Sequence, residues 1–226
     1  MLFSLSRPAW VRILPFALFM VLLALRGQAP SDGAWGFDVR WLYAAQASAV
    51  GLMLLVLARE YGELSLQNLP SARQTLLSVA TGVGVFALWI VLDRPWMLLG
   101  EPTAGFTPLG PDGQVIVALA AFRWAGAAVV VPVMEELFWR SFLMRWIEHP
   151  VFGGVNPQGV GLKAVVLSTA VFALAHTQWL AAVIAGLAYA WLYVRTGKLW
   201  SSVIAHAVTN GALGVWVVAT GSWAFW

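Results

Sequence analysis

Two adjacent glutamates, Glu135 and Glu136, lie inside an otherwise apolar run, and Arg140 follows four residues later. At the centre of a membrane helix one acidic residue costs about 2.5 to 3.5 kcal/mol, so two in succession require pairing, protonation or a wet cavity. Neighbouring residues on an α-helix point about 100° apart, whereas residues i and i+4 share a face. We therefore expect Arg140 to pair with Glu136 and orient the helix, which leaves Glu135 free for acid–base chemistry.

Three further polar side chains fall within apolar stretches: His176, His206 and Asn210. His206 and Asn210 are four residues apart and share a helix face. The rise of an α-helix places Glu135, His176 and His206 at similar depths. Each lies about 12–20 Å along its helix from the basic residue near the end of its span. Taken singly, the histidines are more simply packing residues, and Asn210 is more simply a hydrogen bond between helices. Together with a free carboxylate at similar depth they predict one functional site.

The elements that position these residues are membrane helices. The 226 residues are 61% hydrophobic and 10% charged, with a mean hydropathy of +0.79, which excludes a soluble domain. Apolar runs reach helix-spanning length and show no period-2 alternation, so we predict an all-α polytopic transmembrane bundle forming one domain over residues 1–226. The chain has no cysteine, which excludes disulfides, a thiol nucleophile and thiolate metal ligands. We expect no nucleic-acid partner.

The hydropathy pattern predicts seven spans. They are Ile13 to Leu25, Trp41 to Ala58, Leu76 to Leu92, Val115 to Leu137, Leu162 to His176, Leu180 to Val194 and Ser201 to Thr220. The fifth and sixth are shorter than a full crossing and predict a hairpin whose turn, near His176, stays within the bundle. Arg123 falls inside the fourth span, where it is expected to snorkel or to face a cavity.

The basic residues predict the orientation of the chain. With a cytoplasmic N-terminus, eight of them fall on the cytoplasmic side and three on the other, which favours a multi-pass protein of the cell's inner membrane. The eight are Arg7, Arg12, Arg59, Arg73, Arg145, Lys163, Arg195 and Lys198, and the three are Arg26, Arg40 and Arg94. From the same distribution we expect the catalytic cavity to open to the cytoplasm.

Three motifs, in order on three membrane spans, carry a family resemblance. They are Glu135-Glu136-x-x-x-Arg140, Phe172-x-x-x-His176 and His206-x-x-x-Asn210. Their combination resembles the CPBP family, the CAAX prenyl endopeptidase and bacteriocin-processing (Abi) intramembrane proteases. The resemblance covers residues 120–219, which would form the catalytic core helices, whereas the N-terminal half is similar only in hydropathy. Family members often have eight spans. Among bacterial branches, the short chain is similar to the CAAX-protease-related proteins linked to PEP-CTERM and exosortase systems.

The resemblance implies a membrane endopeptidase acting on a membrane-anchored or lipid-modified protein within the lipid bilayer. Glu135 would be the base, His176 would share in activating water, and His206 with Asn210 would donate to the oxyanion. Phe172 would pack, while Glu136 and Arg140 would orient the motif helix.

A zinc mechanism is the alternative, with Glu135, His176 and His206 as ligands. It would consume the carboxylate that has to act as the base, so we favour a site without metal. Two other classes remain open: a non-enzymatic immunity or scaffold protein of the same fold, and a proton-coupled transporter. The transporter is disfavoured because no inverted repeat is visible.

Overall fold

The computed structural model describes residues 5–30, 34–100 and 105–226, and these contain seven helices. They are α1 (Arg7–Arg26), α2 (Trp41–Val56), α3 (Ala72–Val91), α4 (Val117–Glu148), α5 (Leu162–Leu174), α6 (Trp179–Thr196) and α7 (Leu199–Thr220). Five of them, α1, α3, α4, α6 and α7, are long and apolar enough to cross a membrane, while α2 and α5 are shorter. The chain is an all-α membrane bundle, as the composition predicted.

Local sequence signals set several helix ends. Ser71 and Gln74 form a capping box at the start of α3, which satisfies backbone N–H groups that the first turn leaves free. α6 and α7 end at Gly197 and Gly221, whose φ values of 69° and 70° lie in the left-handed region that glycine adopts without steric cost. α4 extends beyond the predicted Leu137 to Glu148, and two arginines in its last three turns are buried.

The central element is α4, which packs against α1, α2, α5 and α7. α5 and α6 form the predicted hairpin, and the turn between them carries His176. α3 packs closely along α7 because Gly82 has no side chain: a Cβ there would lie 2.4 Å from the carbonyl oxygen of Ala205. Small residues permit this kind of close backbone approach between membrane helices.

Successive helices run in alternating directions and give the bundle two distinct ends. The amino-terminal end holds the start of α1, and there Arg7 pairs with Glu60 in the segment between α2 and α3. The carboxy-terminal end holds the last residue, Trp226, whose carbonyl accepts a hydrogen bond from the backbone N–H of Phe106 at 2.9 Å. All eight basic residues assigned to the cytoplasmic side belong to the amino-terminal end.

Candidate active site

A cavity of about 1010 Å³ lies between the helices and is lined by Glu135, Phe172, His176, His206 and Asn210. The structure therefore brings the four predicted catalytic side chains to one space. Glu136 and Arg140 do not line it; they lie behind its wall, with 0% and 3% of their surface exposed.

The cavity extends toward the carboxy-terminal end of the bundle. Besides the motif residues, its wall includes helix-end and loop residues from that end: Arg26, Arg40, Asp93, Phe106, Gln178 and Trp226. The expectation that the cavity opens on the side of the basic residues, with the N-terminus, is therefore wrong. The prediction failed because helix rise gives the depth of each residue but does not indicate toward which end of the bundle the cavity extends.

The helix that presents Glu135 is irregular on both sides of it. Residues Gly126–Val130 and Leu137–Met144 are π-helical, and Pro132 lies between these two segments. In the π register the N–H of residue 132 would bond to the carbonyl of Ala127, but proline has no N–H. Asn210 supplies the missing donor, with its amide nitrogen 2.9 Å from that carbonyl oxygen. One N–H of Asn210 therefore joins α7 to α4, and its second N–H is free for a ligand.

Glu135 is the carboxylate at the cavity wall. It is 8% exposed, and its Oε2 is buried without a hydrogen-bond partner in the part of the chain that the structure describes. A carboxyl group with an unused oxygen in a cavity can take a proton from water or return one to a leaving group.

Glu136 accepts hydrogen bonds from two helices. Its Oε1 lies 3.1 Å from Nη1 of Arg140, the predicted i+4 pair, and 2.9 Å from Nδ1 of His206 on α7. Arg140 also donates from Nη2 to the carbonyl of Gly186 on α6, at 3.3 Å. This ion pair therefore fixes the mutual position of α4, α6 and α7.

The contact with Glu136 determines what His206 can do. Because the carboxylate accepts, Nδ1 of His206 carries the donated proton and Nε2 is the nitrogen left for chemistry. A neutral ring offers an acceptor at Nε2, and a protonated ring offers the donor that an oxyanion requires. The Tyr189 ring stacks on the imidazole, with centroids 5.0 Å apart, and its hydroxyl donates to Thr209 at 2.8 Å. Neither Tyr189 nor Thr209 belongs to a sequence motif, and both lie in apolar runs, so sequence reasoning missed them.

His176 is oriented by its own helix turn. Its Nδ1 lies 2.7 Å from the carbonyl oxygen of Phe172, which can only accept, so Nδ1 donates and Nε2 carries the lone pair. The Phe172 ring contacts the imidazole at 4.4 Å between centroids and receives the Arg140 guanidinium at 4.7 Å. Phe172 is thus the packing residue that joins His176 to the buried ion pair.

The zinc alternative would require Glu135, His176 and His206 to gather around one ion. Among the described residues, no group of three or more His, Cys, Asp or Glu side chains is placed to hold a metal ion. Nδ1 of both histidines is already hydrogen-bonded, to Glu136 and to the carbonyl of Phe172, so each ring would offer Nε2 to a metal as well as to a reactant. A site without metal therefore stays a prediction.

Residues 117–212 match the family described as Type II CAAX prenyl endopeptidase Rce1-like. This stretch is an Rce1-like domain. It includes α4 to most of α7, with all three motifs, and it agrees with the resemblance to the CPBP family. Comparisons with curated proteins and with solved structures gave no match. The chain is thus an integral membrane protein with an Rce1-like domain over residues 117–212.

Proposed function

We propose that this chain is an intramembrane endopeptidase that hydrolyses a peptide bond of a membrane-anchored or lipid-modified, CAAX-like protein. The single observation that carries the proposal is the Glu135 carboxyl group, which lies in the wall of a cavity that also holds His176, His206 and Asn210 and whose Oε2 has no hydrogen-bond partner among the described residues.

Glu135 and His176 activate the attacking water. The water oxygen bonds to the scissile carbonyl carbon, and its proton passes to the carboxylate or to Nε2 of His176. When the C–N bond breaks, the same group returns the proton to the leaving amine. The products are a new carboxyl terminus and a free amine.

His206 and Asn210 stabilise the tetrahedral oxyanion. Asn210 donates through its second amide N–H, and His206 donates through Nε2 when its ring is protonated. Glu136 holds the ring through Nδ1 at 2.9 Å, so that Nε2 is the nitrogen that meets the oxyanion. No step uses a metal ion.

The test is turnover by purified protein in detergent, with a fluorogenic S-farnesylated CAAX-type peptide as the probe. We expect Glu135→Gln to lower kcat by about 10³-fold, the usual order for loss of a general base, while the variant remains folded. Glu148→Gln is the matched control, since Glu148 is an exposed residue at the far end of the same helix. Equal turnover by wild type and Glu135→Gln would overturn the assignment. No turnover by wild type would favour the scaffold or immunity alternative.

We further propose that the cavity opens away from the cytoplasm. The amino-terminal end carries eight basic residues and the carboxy-terminal end carries three. The cavity extends toward the carboxy-terminal end, which has fewer basic residues. Because the chain has no native cysteine, single cysteines report sidedness directly. In right-side-out vesicles an impermeant thiol reagent should label Asp112→Cys and leave Ser71→Cys unlabelled. The reverse pattern would place the cavity on the cytoplasmic side.

A further inference from the structure

Two arginines in the cavity wall have no carboxylate partner among the described residues. Arg26 ends α1, Arg123 lies in the second turn of α4, and both line the cavity at its carboxy-terminal end. The Tyr43 ring lies between them, with its centroid 5.2 Å from the Arg26 guanidinium carbon and 4.5 Å from that of Arg123. Among the described residues, neither arginine forms an ion pair, and Nε of Arg123 is buried without a hydrogen-bond partner. Two neighbouring cations in a cavity wall attract an anion.

Aromatic rings hold Arg123 in place without satisfying its donors. Its guanidinium carbon lies 4.5 Å from the ring centroid of Tyr43, 5.9 Å from Trp226 and 6.0 Å from Phe106. A cation over a ring face is stabilised by the π system, yet its N–H groups point outward in the guanidinium plane. Those groups form the fork that binds a carboxylate with two hydrogen bonds.

Tyr43 is buried beside the two arginines. Its hydroxyl has no hydrogen-bond partner in the described parts of the chain. Gly126 makes room for it, since a Cβ at that position would lie 2.6 Å from the hydroxyl oxygen. Tyr43 itself does not line the cavity, so its ring supports the two arginines from behind the wall.

Arg40 shows what a structural arginine looks like in the same wall. It pairs with Asp38 at 2.8 Å and donates to the backbone carbonyls of Thr107 at 2.9 Å and Leu109 at 2.6 Å. The donors of Arg40 therefore hold the loop in place. The side chains of Arg26 and Arg123 form no such hydrogen bonds within the described residues.

We propose that Arg26 and Arg123 bind the C-terminal carboxylate of the peptide that is cleaved, with the Tyr43 ring between them holding both guanidinium groups. The inference rests on the proposed function and adds a substrate requirement: a free carboxyl terminus. A carboxylate matches the planar fork of Arg123. In a peptide substrate, the C-terminal carboxylate lies at the end of the peptide that would enter the cavity.

The spacing along α4 then sets the position of the cut. Arg123, Ala127, Val131 and Glu135 recur every four residues, and all four line the cavity. Twelve residues at helical rise separate Arg123 from Glu135 by about 18 Å. An extended peptide covers about 3.3 to 3.6 Å per residue, so a gap of about 18 Å corresponds to a released fragment of about five residues.

The experiment compares a fluorogenic S-farnesylated peptide ending in a free carboxylate with its C-terminal amide. Wild type should prefer the acid by about 10- to 100-fold in kcat/KM, the order expected for a charge-assisted hydrogen bond to an arginine. Arg123→Gln should lower kcat/KM for the acid by that factor, mainly through KM, and remove the preference. Arg123→Lys keeps the positive charge but lacks the planar fork, so it should retain part of the preference for the acid. Arg94→Gln, an exposed arginine at the same end outside the cavity, is the matched control and should behave as wild type.

Binding to catalytically inactive Glu135→Gln separates the two proposals. If neither wild type nor Arg123→Gln cleaves, but the inactive protein still binds the acid more tightly than the amide, the proposed function fails and the carboxylate site stands. Equal cleavage and equal binding of acid and amide by wild type would overturn the carboxylate site and leave the proposed function intact. A third outcome is that wild type shows no preference for the acid, while the effect of Arg123→Gln on activity depends on the anionic lipid content. That result would assign the site to a lipid phosphate and would also overturn the inference.

Discussion

Two buried arginines are fully hydrogen-bonded at the amino-terminal end of the bundle, whereas two half-buried arginines at the other end, Arg26 and Arg123, form no ion pair among the described residues. At the amino-terminal end Arg12 donates to both carboxylate oxygens of Glu63, at 2.8 and 2.7 Å, and to the Ser141 hydroxyl at 3.0 Å. Arg145 donates to the same hydroxyl at 3.0 Å, and that hydroxyl also contacts Glu63. At the carboxy-terminal end Arg123 lies against three aromatic rings, and its Nε has no hydrogen-bond partner among the described residues.

The difference separates charges that hold the fold from charges available to a ligand. A buried charge with complete hydrogen bonding closes a bundle end, because each donor and acceptor already has its partner. Donors and acceptors without partners cost free energy unless a substrate satisfies them, and such groups cluster at functional sites. The adjacent glutamates show both situations: Oε1 of Glu136 is held by Arg140 and His206, whereas Glu135 has no ion-pair partner among the described residues and lines the cavity. Oε2 of each is buried without a partner in that part of the chain.

The largest expected effect comes from Glu136→Gln, which alters the buried pair next to the cavity. Removing one partner leaves Arg140 uncompensated and should lower the free energy of unfolding by about 3–5 kcal/mol. It also removes the carboxylate that faces Nδ1 of His206, so kcat per folded molecule should fall as well. Folded yield from size-exclusion chromatography, together with kcat on the same fraction, measures both effects.

Glu63→Gln is the comparison for that variant because it makes the same chemical change at the amino-terminal end. It should lower stability while kcat per folded molecule stays at the wild-type value. Wild-type kcat in folded Glu136→Gln would mean that the contact with His206 has no part in the reaction.

Local helix geometry is what made the site predictable. The pairing of Glu136 with Arg140, and the shared face of His206 and Asn210, follow from i+4 spacing. The count of seven helices and the α5–α6 hairpin followed from hydropathy and segment length. The assignment of catalytic roles to Glu135, His176, His206 and Asn210 stays a prediction.

The features that escaped prediction depend on how helices rotate against one another. The hydrogen bond between Glu136 and His206 requires a particular facing of α4 and α7, which close packing at Gly82 and Ala205 helps to set. The three aromatic rings near Arg123, those of Tyr43, Phe106 and Trp226, belong to segments that are far apart in the sequence. No spacing rule within one helix reveals such contacts.

A smaller effect is expected from pH at the amino-terminal end. Burial alone would raise the pKa of Glu63, but the hydrogen bond and charge of Arg12 and the Ser141 hydroxyl outweigh it and hold that pKa below its ordinary value of 4.5. A depressed pKa in the folded state stabilises the protein above the unfolded value, and this stability is lost as pH falls through the folded pKa. Thermal unfolding in detergent should therefore show wild type losing stability from about pH 5 downward. Glu63→Gln should be less stable at pH 7 and should lose less over the acid range.

The smallest effect should come from Glu60→Gln, three residues earlier in the same segment. Glu60 also pairs with an arginine of α1, Arg7, at 2.6 Å, but 79% of the Arg7 side chain and 36% of the Glu60 side chain are exposed. Water and salt screen such a pair, which is worth about 0–1 kcal/mol, so the unfolding midpoint should not shift measurably at pH 7. The two variants remove the same charge from the same loop and differ mainly in burial. An equal loss of stability in both would mean that burial of the Arg12–Glu63 pair is not what closes this end of the bundle.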